Sequence, residues 1–137
     1  MKELKIERDI LIKLACGARE FSHSPYSHFR VGAALLCSDG TVFTGCNVEN
    51  ASYSLTNCAE RTAFFKAVSS GKTEFAAIAV AGGEGLEANE QCFPCGACLQ
   101  VMSEFCGDDF EIILMDNENV KSYRLAELFP NRFLLKK

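Results

Sequence analysis

A chain of 137 residues with a net charge of -4 has room for one domain with a real core, and lacks the basic excess of a nucleic-acid binder. Its eight cysteines accompany an N-terminus, Met1-Lys2-Glu3-Leu4-Lys5-Ile6, with no apolar run resembling a signal peptide. Reduced thiols, a metal site and a cytoplasmic location are therefore expected, and no segment approaches the roughly 20 apolar residues that span a bilayer.

Ile6, Ile10, Leu14, Ala18 and Phe21 fall on one helical stripe and predict an opening amphipathic helix. Residues 29–37 read as a buried strand, Ser38-Asp39-Gly40 as a turn, and residues 41–46 as a returning strand. A polar loop over 47–57 leads to a helix that starts near Cys58 and stops at Gly71, apolar on most sides and so largely buried. Residues 75–81 form a third strand, and Gly82-Gly83-Glu84-Gly85 opens a loop running to Pro94. A helix follows over 95–105, closed by Gly107. The strands at 110–115 and 120–123 are too close in sequence for a parallel crossover, so they pair antiparallel. A short helix covers 125–129. This order predicts a single α/β domain over 1–137, a mixed five-stranded sheet with helices on its faces.

The chemistry is concentrated in Cys58-Ala59-Glu60 and Pro94-Cys95-Gly96-Ala97-Cys98. Three thiolates can hold one metal ion, and zinc with three protein ligands keeps a fourth position for water. Glu60 stands beside them as a proton carrier. Both segments fall at predicted helix starts, where the helix dipole favours a thiolate. Cys58 and Glu60 share a site only in the first turn, since residues two apart diverge by about 200° further along a helix. Arg61 is placed to offset the surplus negative charge of three thiolates by hydrogen bonding to sulfur. The only two histidines, His23 and His28, occupy loop positions rather than ligand positions.

Three rival readings use the same cysteines. Cys95-Gly96-Ala97-Cys98 resembles a redox dithiol, and Cys92, Cys95, Cys98 and Cys106 resemble an iron–sulfur run with too long a last spacing. A structural four-cysteine zinc site would recruit Cys46 or Cys92. Each leaves Glu60 without a task. Cys16, Cys37, Cys46 and Cys106 sit among apolar residues and read as inert core thiols.

Four stretches carry a family resemblance. They are Pro25-Tyr26-Ser27-His28-Phe29-Arg30-Val31-Gly32-Ala33-Ala34, Thr44-Gly45-Cys46-Asn47-Val48-Glu49-Asn50-Ala51-Ser52-Tyr53, Cys58-Ala59-Glu60-Arg61-Thr62-Ala63 and Pro94-Cys95-Gly96-Ala97-Cys98. From about Ser24 to Phe133 the chain resembles the small homotetrameric cytidine deaminases of pyrimidine salvage. The resemblance implies the three-layer α/β/α cytidine deaminase-like fold, one Zn²⁺ per subunit, and hydrolysis of cytidine and deoxycytidine to uridine and deoxyuridine. It also implies zinc ligands Cys58, Cys95 and Cys98, Glu60 as proton shuttle, and Arg61 as donor to ligand sulfurs. Phe29 matches a pocket aromatic, and Asn47 and Glu49 match residues holding ribose hydroxyls. For that reaction the Ala59 and Cys98 backbone N–H groups are expected donors to the tetrahedral centre or ring. Ala51, Tyr53 and Phe133 match contacts supplied by neighbouring subunits, so the resemblance implies sites shared within a tetramer. Phe93, Leu99 and Leu134-Leu135 depart from the family's usual Ser, Arg and Gly-Pro. A deaminase of a related cytosine nucleoside, such as the blasticidin type, is the alternative enzyme.

Overall fold

The computed structural model describes residues 2–88 and 90–135. Helix α1 (Arg8–Ala18) is followed by strands β1 (Arg30–Cys37) and β2 (Val42–Cys46), helix α2 (Ala59–Ser69), strand β3 (Phe75–Gly83) and helix α3 (Gly96–Phe105). Strands β4 (Glu111–Asp116) and β5 (Asn119–Arg124) and helix α4 (Leu125–Leu128) complete the chain. The five strands form one sheet in the order β2-β1-β3-β4-β5. β1 pairs antiparallel with β2 and β3, β4 pairs antiparallel with β5, and β3 runs parallel to β4.

Successive strand residues face opposite sides, so each inner strand feeds two cores. Val31, Ala33 and Leu35 of β1 join Ile78, Val80, Ile112 and Leu114 beneath α2, α3 and α4. Ala34 and Leu36 join Ala77, Ala79 and Ile113 beneath α1. Burial on both faces explains why these strands are continuously apolar in sequence. Phe64 of α2 anchors the first core, its ring 5.0 Å from Phe75 and stacked on Phe105 at 6.3 Å.

Three expectations need correction. α1 buries Leu11, Ile12, Ala15 and Ala18, while Ile10 and Leu14 are exposed and Phe21, beyond the helix, is 79% exposed. The reason is close packing: a Cβ on Gly32 would collide with the Ala15 carbonyl, so the helix settles on its small-residue side. Gly82 and Gly83 remain in β3, paired with Val31 and Arg30, instead of opening the loop. α2 is less enclosed than its apolar content suggests, because Phe65 faces outward. The 47–57 segment also contains a 3₁₀ turn, Tyr53–Leu55, and Val48 bridges both His23 and Asn57.

One ion pair ties α1 to the sheet. Arg8 donates through Nη2 to Glu111 Oε1 at 2.7 Å and through Nε to Oε2, which also accepts from Ser122. Burial alone would raise the Glu111 carboxyl; the Arg8 hydrogen bond, Ser122 and the Arg8 charge outweigh it and hold the pKa below its ordinary value. A depressed folded pKa contributes stability above the ordinary carboxyl pKa, and that stability is lost as pH falls through the folded value. Arg8→Met should cost about 2 kcal/mol at pH 7, less than a fully buried pair because the side chains retain some exposure. Its penalty should shrink on acidification. Equal melting temperatures for variant and wild type at pH 7 would contradict this account.

Candidate active site

Two helix starts build the site. Cys58 is the N-cap of α2 and Cys95 the N-cap of α3, each extended (ψ 156° and 169°) immediately before its helix. Neither thiol caps its own helix, so both are free for another partner. Gly45 fixes the depth of α2, since a Cβ there would stand 2.6 Å from the Ala59 carbonyl oxygen and the Ala63 nitrogen.

Cys58 Sγ lies 3.7 Å from Cys95 Sγ, which lies 3.6 Å from Cys98 Sγ. These are not disulfides, and all eight cysteines are free. Thiolates about 2.3 Å from one tetrahedral zinc would stand roughly 3.8 Å apart. Two edges of the sulfur triangle match that spacing and the third lies within 4.8 Å, so the donor set fits zinc. Among the described residues, Cys58, Cys95 and Cys98 are the one group of three able to share a metal, their sulfurs within 4.8 Å of one another. Cys46, Cys92 and Cys106 fall outside it. The closed four-cysteine site and the iron–sulfur run therefore lose their geometry.

The surroundings separate the charges. Hydrogen bonding with Cys98 lowers the Cys58 thiol to about 5; burial opposes this, and Arg61 and Cys95 add to it. Cys98 moves the other way, raised first by its hydrogen bond to Cys58 and then by burial. Arg61 Nη2 donates to Cys58 Sγ at 3.3 Å, and that bond keeps the guanidinium protonated. Glu60, in the first turn of α2, is only 4% exposed. Burial pushes its carboxyl up to about 7, its own backbone N–H lowers it, and Cys58 raises it further. A carboxyl balanced near neutrality beside the Cys58 thiolate suits proton transfer in both directions. The Ala59 N–H, at the first position of α2, has no intrahelical acceptor.

The other predicted residues fall into two groups. Phe29 is half-buried and packs with Cys92 over Gly82, where a Cβ would meet Phe29 Cε2 at 3.0 Å and Cys92 Sγ at 3.1 Å. The Cys92 thiol is pushed up to about 12, by burial and then by Glu60 and Cys58. Asn47 and Glu49 are buried and already engaged. Asn47 Nδ2 donates to the Phe29 carbonyl at 2.8 Å, and its Oδ1 accepts from the Val31 N–H at 2.9 Å and from Ser22 Oγ. Glu49 accepts from the Tyr26 and Ser27 amides at 3.0 and 3.2 Å and from Ser27 Oγ. Glu49, Tyr53, Ser27 and Thr56 line a cavity of about 280 Å³.

Ala51, Tyr53 and Phe133 form the second group, all exposed. Phe133 is 65% exposed, held through its carbonyl by Gln100 Nε2 at 3.0 Å. Phe93 packs on Tyr123 with ring centres 5.4 Å apart, and Leu99 is buried in the first core. His23 and His28 are exposed loop residues. Among the remaining thiols only Cys37 is fully buried; Cys16, Cys46 and Cys106 are half-buried, and burial raises all four. A larger cavity beneath β4 and β5, lined by Lys2, Glu111 and Tyr123 among others, contains no thiol. Sequence reasoning missed the places of Gly82 and Ser27 and weighed Cys92 only as a possible metal ligand. The glycine pair ending an aliphatic strand was the available signal for a close approach.

Comparison with known proteins agrees with this geometry. Residues 6–114 match the family model described as the cytidine and deoxycytidylate deaminase zinc-binding region. The chain is 48% identical to cytidine deaminase of Halalkalibacterium halodurans, over 93% of its own length and 95% of the relative's. Among solved structures it resembles cytidine deaminase from Burkholderia pseudomallei, with 48% identity, a TM-score of 0.85, and coverage of 93% and 100% of the two chains. It also resembles cytidine deaminase from Mycobacterium tuberculosis, with 37% identity, a TM-score of 0.81, and coverage of 96% and 100%. With thiolates, carboxyl and arginine on two helix starts, and relatives of that kind across most of its length, the chain belongs to the cytidine and deoxycytidylate deaminase zinc-binding family.

Proposed function

We propose that this protein is a zinc-dependent hydrolase that deaminates cytidine and deoxycytidine to uridine and deoxyuridine, releasing ammonia. The observation that carries the reading is the buried Glu60 carboxyl, raised towards neutrality beside three converging thiols. Cys58, Cys95 and Cys98 would hold one Zn²⁺, which when bound supplies a water acidified from about 16 to near 7. Glu60 would take one proton from the attacking water and pass it to N3 of the cytosine ring, then take the second from the resulting C4 hydroxyl and pass it to the amine, which leaves as ammonia. Arg61 balances the thiolate charge. The Ala59 and Cys98 amides steady the ring as charge develops on it. Phe29 packs against the base, and Asn47 and Glu49 orient the ribose hydroxyls. Their bonds to the 22–31 segment pre-set that orientation, and each side chain keeps unused hydrogen-bonding capacity.

The test is ammonia release from cytidine by the purified protein, abolished by a chelator and restored by Zn²⁺. A zinc-loaded chain that leaves cytidine unchanged would overturn the assignment.

The same reading places the enzyme in the cytoplasm, in pyrimidine salvage, as one domain over 1–137 and a homotetramer. No helix among the described residues is long and apolar enough to cross a membrane. Exposed Tyr53, Leu55, Phe133, Leu134 and Leu135 support an assembly in which Ala51, Tyr53 and Phe133 complete a neighbour's site. Mixing tests this. Glu60→Ala subunits keep Phe133, and Phe133→Ala subunits keep Glu60. After subunit exchange, mixed sites should regain both residues, and activity should exceed the sum of the two variants. No gain despite demonstrated exchange would refute the shared site.

A further inference from the structure

Arg19 is an arginine that the site does not use. It lies just past the end of α1, and only 5% of it is exposed. Arg8, Arg124 and Arg132 each meet a carboxylate. Arg19 has no ion pair among the described residues and spends its guanidinium on four backbone carbonyls. Nε donates to Arg30 at 3.0 Å and Nη1 to Leu86 at 3.1 Å. Nη2 donates to Gly83 at 2.8 Å and Gly85 at 2.6 Å. The arrangement is costly: burial lowers the Arg19 pKa, and the Arg30 charge lowers it further.

What Arg19 grips is specific. Arg30 and Gly83 face each other across β1 and β3, and the next pair along is Val31 and Gly82. Arg30 follows Phe29 and Gly83 follows Gly82, while the Phe29 ring and the Cys92 sulfur both close over Gly82. Gly82 also bridges Glu90, two residues before Cys92. The guanidinium thus holds the neighbours of two members of this wall, Phe29 and Gly82, and, through Gly85 and Leu86, the start of the segment that returns to the third, Cys92. Gly83 leaves no slack, because a Cβ there would stand 2.6 Å from the Glu87 carbonyl oxygen.

We infer that Arg19 is a positioning residue: it fixes the start of the β3–α3 connection so that the Phe29–Gly82–Cys92 wall stands against the cytosine site. The inference rests on the proposed nucleoside pocket. It assigns Arg19 no contact with substrate. Lysine cannot replace it, since one ammonium cannot reproduce a planar fork directed at four carbonyls.

The experiment uses the zinc-loaded full chain with Arg19→Lys and Arg19→Ala. In the wild type, Cys92 should alkylate slowly. In both variants its alkylation, followed by mass spectrometry, should accelerate by about tenfold or more, as the wall opens locally. Hydrogen exchange at residues 83–88 should rise with it, while α2 amides stay protected. Cytidine KM should rise by about tenfold, equivalent to one lost hydrogen bond, with kcat changed far less. Millimolar guanidinium ion should restore slow Cys92 alkylation to Arg19→Ala but not to Arg19→Lys. If Arg19→Ala does not fold, Arg19→Lys carries the test. Unchanged Cys92 alkylation in Arg19→Lys overturns the inference, whatever the activity. So does faster alkylation with unchanged KM, which would make Arg19 a structural staple only. Failure of the wild type to deaminate cytidine overturns the proposed function instead, and the alkylation result still stands alone.

Discussion

Glu60→Ala should abolish nearly all turnover of cytidine while leaving zinc and fold in place. General acid–base assistance is typically worth about 10²–10⁴-fold, and a residue moving two protons in one cycle should reach or exceed the upper end. The fold should not suffer. Glu60 is a buried carboxyl whose burial disfavours its charge, so removing it relieves a cost and leaves only a small void beneath α2. The expected result is therefore a kcat lower by at least two orders of magnitude, with unchanged zinc content and an equal or higher melting temperature. Activity within a few-fold of wild type would exclude Glu60 as the proton carrier.

Cys58→Ser should lose most of the zinc and, with it, the activity. Three sulfurs within 4.8 Å make the whole donor set, and a serine hydroxyl is a much poorer zinc ligand than a thiolate. The loss should exceed the roughly 10–100-fold typical of removing an outer partner of a metal ligand. Cys92→Ser and Cys46→Ser should keep their zinc, because neither sulfur belongs to the cluster. Metal content of the four purified proteins decides the matter. Equal zinc loss from Cys92→Ser would show that the ligand set is wrong.

The legible and illegible parts of this molecule differ for physical reasons. The buried strands were legible because β1 and β3 are enclosed on both faces, and an unbroken apolar run has few other uses. The thiol-bearing helix starts were legible because Cys58 and Cys95 each precede a compact helical pattern closed by a stop signal. The face of α1 was not. Its sequence offers two overlapping apolar stripes, and the choice between them is made by Gly32 in another element. Nor were Asn47 and Glu49 legible as braces of the 22–31 segment, since most of their partners are backbone groups, 16 to 23 residues away. Arg19 was invisible for the same reason: carbonyl acceptors leave no mark in side-chain sequence.

The single parallel pairing among the described strands, β3 with β4, has a consequence for how the protein acquires its metal. Antiparallel neighbours can close through short turns, as β1 and β2 do, whereas β3 and β4 must wait for the intervening chain to cross back. That intervening chain carries Cys95 and Cys98, while Cys58 arrives with the earlier half of the sheet. Contacts of large sequence separation cost the most chain entropy and tend to be slow to form. Until the crossover docks, a zinc ion meets only the Cys95–Cys98 pair and is held weakly. Tight capture thus coincides with completion of the sheet, and refolding followed by zinc uptake should lag behind helix formation. Zinc retention then reports on the integrity of the whole fold as well as on three cysteines.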